Sequence, residues 1–220
     1  MLIKNYFHYP AFLAIEGKSC VIIGGGQVAA RKLQTLCEAG AKVTVIAPDF
    51  CTALQNIALK FHSQMISATY DSSYLQGAFI TIAATNDKAI NRQITEDAPL
   101  LCNNITEPEL SNFIVPSAIK QGNITLALAT GGMPAFTRLL KQRLQHVITP
   151  EIADFNEFLR KQRLEVQQIP STPEARTAFW RKTLTEDLIN LVAAGHAAQA
   201  KENILDAINS FRTQSQNSPG

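Results

Sequence analysis

From residue 19 to residue 104 the chain alternates short apolar runs with segments of helical period. SCVIIG (19–24) is too short and too uniformly apolar for an amphipathic helix and reads as a buried strand. Residues 27–39 place Val28, Leu33, Leu36 and Cys37 on one helical face, and Gly40 stands where a left-handed cap ends a helix. AKVTVIAP (41–48) is β-branched and closed by Pro48, which makes a second strand. The crossover of this strand–helix–strand unit is expected to be right-handed. A helix follows at 50–60, a weaker strand near 64–68 and a strong strand at FITIAAT (79–85). DKAINRQITEDA (87–98) reads as a helix begun by Asn86 or Asp87, and LLCNN (100–104) as one more strand. This alternation predicts an α/β fold, a Rossmann-like doubly wound parallel sheet.

The period changes after Glu107-Pro108. Pro116 interrupts FIVPS and demotes it to an edge or a turn. NITLALAT (123–130) alternates as a strand, and GGMPAFTRLLKQRLQHV (131–147) is a glycine turn followed by an amphipathic helix. Pro150 opens a glutamine-rich region of about three helices reaching residue 213, and the tail TQSQNSPG is expected to fray. The predicted organisation is therefore a dinucleotide-binding domain at 1–112, a small α+β dimerisation region at 113–149 and a C-terminal helical domain at 150–220. The middle piece is too small to bury a core alone, so it is expected to pair with its copy in a homodimer.

A net charge of +2 gives no global field for nucleic acid, and no apolar window approaches the length of a membrane span. Cys20, Cys37, Cys51 and Cys102 fit no metal-site spacing and read as reduced thiols. The start MLIKNYFHYP lacks the continuous apolar run of a secretory leader, so the expectation is a cytoplasmic protein. His8, His62 and His196 stand alone and read as surface or packed residues, and Trp180 as a core residue of the helical domain.

The candidate chemistry begins at the first turn. Gly24-Gly25-Gly26-Gln27-Val28-Ala29 matches G-x-G-x-x-A between a strand and a helix. Gly24 suits the tight turn, Gly26 the close approach of a pyrophosphate, and Ala29 close packing of helix on strand. The amides of the first helical turn favour an anion. An acid is expected about 20 residues on; here Ala47 and Pro48 end the strand and Asp49 stands 25 residues after Gly24. Asp49 has two readings, a ribose ligand or the cap of the next helix. No arginine lies nearby for a 2′-phosphate, which favours NAD over NADP. Thr85, Asn86 and Asp87, after the 79–85 strand, face the nicotinamide side of such a crevice, although capping explains Asn86 and Asp87 equally well. A second feature is a stretch without acid: Leu110 to Pro150 contains no Asp or Glu but carries Lys120, Arg138, Lys141, Arg143 and His146. This suggests a polyanionic substrate; a solvated face or a subunit contact is the alternative. His146 suits capping at a helix C-terminus.

YPAFLAIEGKSCVIIGGGQVAARKLQTLCEAGAKVTVIAP, FITIAATNDKAIN, LCNNITEPELSNFIVPS and ALATGG with RLLKQRL resemble, in order and spacing, the precorrin-2 dehydrogenase / sirohydrochlorin ferrochelatase family of siroheme biosynthesis, over roughly residues 8–147. The resemblance implies NAD as cofactor and NAD-dependent oxidation of precorrin-2, a tetrapyrrole fringed with carboxylates, to sirohydrochlorin. In some members it also implies insertion of Fe²⁺, which is then a substrate; no structural metal is expected. It places coenzyme contacts at Gln27, Val28, Pro48 and Asp49, and substrate contacts around Thr130, Gly131, Gly132, Arg138 and Lys141. Bifunctional members carry an aspartate in a pattern like N-V-V-D-x-P; this chain has Thr106, beside Glu107. Thr106 cannot accept a proton as a carboxylate does, so Glu107, Glu109 or His146 is a candidate substitute, and a dehydrogenase-only enzyme is the alternative. A chelatase-only protein, a tetrapyrrole carrier and a non-enzymatic NAD-sensing module are rival readings.

Overall fold

The computed structural model describes residues 9–216; His8 and residues 217–220 of the tail lie outside them. The chain divides into two compact units between Val115 and Pro116.

The first unit is built on a five-stranded parallel sheet in the order β3-β2-β1-β4-β5. Its strands are β1 (Ser19–Ile23), β2 (Lys42–Ala47), β3 (Gln64–Ser67), β4 (Ile80–Ala83) and β5 (Leu101–Asn104). β1 pairs with both β2 and β4, so strand order reverses at its carboxyl end, where ligands bind in open sheets of this type. The continuous apolar runs follow from burial on both faces. Alternate residues point opposite ways: Cys20 and Ile22 join a core with Leu33 of α1 (Gln27–Glu38) and Leu54 of α2 (Thr52–Phe61). Val21 and Ile23 join another with Ile94 of α3 (Lys88–Asp97) and Leu75. Truncating fully buried Leu33 to alanine is worth about 2–5 kcal/mol by analogy with other cores. A 3₁₀ turn at Ser72–Leu75, capped by Asp71, replaces a full helix between β3 and β4. Edge strand β3 has no buried residue, which explains its faint signal.

Several local expectations change. The inner face of α1 is carried by Ala29, Ala30 and Leu33, while Val28 is only half-buried. The first turn opens beyond the carboxyl end of the central strand β1, so Val28 precedes the packed part of the helix. Asp49 is not a cap, because α2 starts from Cys51 without a side-chain bond. α3 is capped by Asp87, whose carboxylate accepts from the amides of Ala89 and Ile90.

In the second unit, β6 (Ser117–Gln121) and β7 (Ile124–Leu128) form an antiparallel hairpin, followed by α4 (Pro134–Gln145). The proline in FIVPS ends irregular chain, and β6 begins at the next residue; its mixed composition, SAIKQ, hid the strand. Four helices follow rather than three: α5 (Pro150–Gln168), α6 (Pro173–Thr183), α7 (Glu186–Ala193) and α8 (Ala197–Gln216). Gly195, with φ +87°, separates the last two. Their core gathers Phe155, Val166, Phe179, Val192, Ile204 and Ile208. Thr213 to Gln216, expected to fray, continue α8. Trp180 is only half-buried, with its ring edge-on to Phe179 at 5.0 Å. α4 buries no residue, and Met133, Phe136 and Leu139 follow an i, i+3 stripe of exposed apolar side chains. No helix among the described residues is long and apolar enough to cross a membrane.

Candidate functional site

The first glycine turn is built by close approach of backbone. Gly24 has φ +130°, and a Cβ there would stand 2.2 Å from the carbonyl oxygen of Ala84. A Cβ on Gly25 would stand 1.8 Å from the carbonyl oxygen of Asp49. The motif leaves that middle position free, so sequence reasoning passed over Gly25. The Gly24 amide donates to Ile46 O (2.8 Å) and the Cys51 amide to Gly25 O (2.9 Å), which fastens the turn to the end of β2 and the approach to α2. Gly26 is different: nothing lies within 4 Å of a Cβ built on it. It is the N-cap of α1, supplies no side-chain cap, and no acid follows in the first helical turn. The amides of Gln27, Val28 and Ala29 therefore lack side-chain partners at the positive end of a helix. A dinucleotide diphosphate fits this arrangement, because Gly26 keeps the approach bare while Gly24 and Gly25 fix the curve.

Pro48 and Asp49 lie exposed just after β2, and the Asp49 carboxylate has no hydrogen-bond or ion-pair partner among the described residues. It is free to accept from ribose hydroxyls. Across the switch point, the Thr85 loop is tied down by Asn91, a fully buried side chain of α3. Asn91 Oδ1 accepts from the Thr85 amide (3.1 Å) and hydroxyl (2.8 Å). Its Nδ2 donates to Thr85 O (3.0 Å) and to Thr106 Oγ1 (3.1 Å). The Thr85 hydroxyl is thus committed to its own loop, and Asn86 is the exposed member there.

Thr106 belongs to the same network. Its hydroxyl donates to Asn104 Oδ1 (2.9 Å), which also accepts from the amides of Thr106 and Glu107. Glu107 is held by Arg92, whose Nε and Nη2 reach the two carboxylate oxygens at 2.7 and 2.5 Å. That fork holds the Glu107 carboxyl below its ordinary value and makes it a weaker base. Asn91 and Asn104 escaped the sequence reading, since a polar residue in a helix or at a strand end gives no signal of burial, and the exposed Arg92 gives no signal of its partner 15 residues on. Burial pushes the Cys20 thiol up to about 11, and all four cysteines are free. Among the described residues, no three His, Cys, Asp or Glu side chains gather as a metal requires.

The remaining predicted residues lie in the second unit. Gly131 and Gly132 have φ of +59° and +94°, and the Thr130 hydroxyl bonds to Met133 O (3.1 Å) and to the Thr137 hydroxyl. Arg138 is exposed, Lys141 half-buried, and neither makes an ion pair among the described residues. His146 is the exposed C-cap of α4.

Comparison with known proteins agrees with this geometry. Residues 11–117 match a family described as NAD(P)-binding, and residues 151–208 match the family described as the sirohaem synthase dimerisation region. The second match falls on α5–α8. Siroheme synthase of Nitrosomonas eutropha is 33% identical over 207 residues, covering 92% of this chain and 44% of that protein. The Nitrosospira multiformis siroheme synthase is 35% identical over 204 residues, covering 87% and 42%. The chain thus spans less than half the length of the curated relatives it matches. A solved structure of SirC, precorrin-2 dehydrogenase, superposes with a TM-score of 0.72 at 20% identity, covering 96% of this chain and all of that one, and shows the shared fold. An NAD(P)-binding match over the open glycine turn and a sirohaem synthase dimerisation-region match over the helical bundle thus stand in one chain, which is similar to siroheme synthases over 92% of its length.

Proposed function

We propose that this chain catalyses the NAD-dependent dehydrogenation of precorrin-2 to sirohydrochlorin. The observation that carries the reading is the bare turn at Gly26, in front of uncapped α1 amides, inside a domain of NAD(P)-binding type. The amides of Gln27, Val28 and Ala29 hold the diphosphate, and the unpartnered Asp49 carboxylate beside Pro48 holds ribose hydroxyls. An acid there, with no arginine after β2, selects NAD over NADP. When bound, NAD supplies the hydride acceptor. The loop of Thr85 and Asn86, braced by Asn91, borders the nicotinamide end. Thr130, Gly131, Gly132, Arg138 and Lys141 belong to the acid-free segment and receive the carboxylates of the macrocycle.

Oxidation is the activity this site favours over metal insertion. Thr106 offers a hydroxyl already bonded to Asn104, and Glu107 is neutralised by Arg92. Neither supplies a free carboxylate at the position where bifunctional members carry an aspartate. The chain works as a homodimer through its second unit, a reading supported by the dimerisation-region match and the exposed stripe on α4. The test is to mix purified protein with precorrin-2, with and without NAD, and follow absorbance. An NAD-dependent conversion to sirohydrochlorin, unmetallated after Fe²⁺ is added, is expected. No NAD-dependent change overturns the dehydrogenase.

A further inference from the structure

We propose that Asn91 is a positioning residue that sets the nicotinamide ring of the coenzyme by bridging the loops that leave β4 and β5. The sheet ladder runs one step past its strands: Ala84 N donates to Ile23 O (2.8 Å) and Ile105 N to Ala83 O (3.1 Å). The next amides, of Thr85 and Thr106, turn instead to side chains, at Asn91 Oδ1 and Asn104 Oδ1. Asn91 then joins the two loops. The Thr85 amide needs an acceptor and the Thr85 carbonyl a donor, so the side-chain amide fits in one orientation, with Oδ1 on the first and Nδ2 on the second. The other hydrogen of Nδ2 reaches Thr106 Oγ1. Asn104 closes the ring: it accepts from the Thr106 hydroxyl and donates to the main-chain carbonyl of Asn91 at 3.2 Å.

The inner face of α3 otherwise carries Ile94, and an asparagine inside a helix weakens helix propensity and has to be desolvated. What the amide adds is direction, because a fully satisfied buried amide admits one arrangement of the two loops. Its hydrogen-bonding groups are all engaged, so Asn91 touches neither coenzyme nor substrate and acts through Thr85 and Thr106. The carbonyl of Ala84, next to Thr85, is also the group packed against Gly24. The bridged loop is thereby registered on the diphosphate turn, and Asn86, its exposed member, stands at a fixed place. That the positioned ring accepts a hydride rests on the dehydrogenase reading above. The bridge itself lies wholly within the first unit.

The test uses the full chain with NADH, ADP-ribose and precorrin-2. Bound NADH fluoresces from its nicotinamide, so its anisotropy reports how firmly that ring is held. ADP-ribose lacks the ring and reports the diphosphate and ribose contacts alone. Asn91→Ala is expected to bind ADP-ribose within about twofold of wild type, to lower the anisotropy of bound NADH and to lower kcat about a hundredfold. Thr106→Val cuts the bridge at its other end, leaves every bond of Thr85 in place and should lower kcat about tenfold, with Thr106→Ser recovering it. Because both changes act through one bridge, Asn91→Ala/Thr106→Val should be no slower than Asn91→Ala. Ile94→Ala, a core truncation one turn along the same helix, controls for lost stability and should keep wild-type kcat and anisotropy. Unchanged anisotropy in Asn91→Ala overturns the proposal. So do effects that multiply in the double variant, or an equal loss of kcat in Ile94→Ala. If Asn91→Ala does not fold, unchanged kcat and anisotropy in Thr106→Val overturn it. A wild-type chain that binds NADH but leaves precorrin-2 unoxidised sinks the dehydrogenase, and the anisotropy then decides the bridge by itself.

Discussion

Two glycine turns open helices in this chain, one before α1 and one before α4, and they are held in opposite ways. The first is pressed from outside: the carbonyls of Ala84 and Asp49 occupy the space that side chains on Gly24 and Gly25 would need. The second is fastened from within, by bonds of Thr130 and Thr137 to Met133 O, and nothing lies within 4 Å of a Cβ on Gly131 or Gly132. In the first turn glycine is a packing requirement. In the second it serves only the left-handed backbone. Both turns present helical amides, yet only the first is clamped to neighbouring strands and so presents them at a fixed place.

The largest effect that follows is on stability. Gly24→Ala should cost about 4 kcal/mol, adding a clash with Ala84 to a strained backbone, whereas Gly131→Ala should cost about 1 kcal/mol. Urea unfolding of both variants measures the difference, and equal losses would break the distinction. Next in size is Asn91→Ala, expected to cost about 3 kcal/mol because it strands the Thr85 amide and carbonyl in a part-buried network. Its counterpart in the second turn, Thr137→Ala, touches an exposed loop and should cost about 1 kcal/mol or less. A reversed order would show that the outer clamp is not what holds the first turn.

Gly26→Asp sharpens the contrast within the first turn itself. Aspartate is a good N-cap, and the space around a Cβ at Gly26 is open, so stability should stay within about 0.5 kcal/mol of wild type. The added charge faces the anion position, so NAD affinity should fall by about a hundredfold or more. Titration calorimetry beside thermal melts separates the two. A folded variant with unchanged affinity would remove the turn from the coenzyme site.

How far the sequence shows all this depends on the kind of interaction. The parallel sheet was legible because β1, β2 and β4 are buried on both faces and are therefore largely apolar. The coenzyme turn was legible because glycines at fixed offsets leave a pattern. The clamp on that turn was not, because it consists of backbone carbonyls at Ala84 and Asp49, which any residue supplies. Asn91 was hidden for a related reason: an asparagine in KAINRQ looks solvated until the fold turns it inward. β6 was missed because SAIKQ is half polar, and its pairing with β7 is set by a tight turn at Gly122-Asn123 rather than by an apolar run.

The smallest expected effect is a pH response that should separate the two turns again. Glu107 and Arg92 brace the Thr106 loop beside the first turn, while no acid occurs from Leu110 to Pro150 around the second. Because the folded state holds the Glu107 carboxyl below its ordinary value, the folded chain binds the Glu107 proton less readily than the unfolded chain. Its contribution is therefore present at neutral pH and is lost as pH falls through and below the ordinary carboxylate range. Glu107→Gln should melt lower than wild type at neutral pH, and the gap should close on acidification. Asp71, Glu151 and Glu174 are also held low, but they titrate alike in both proteins and cancel in the comparison. Hydrogen exchange should show acid loosening the amides from Thr85 to Glu107 in wild type, with those from Thr130 to Thr137 unaffected. A gap that stays constant with pH would mean that the Arg92 fork does not brace the first turn.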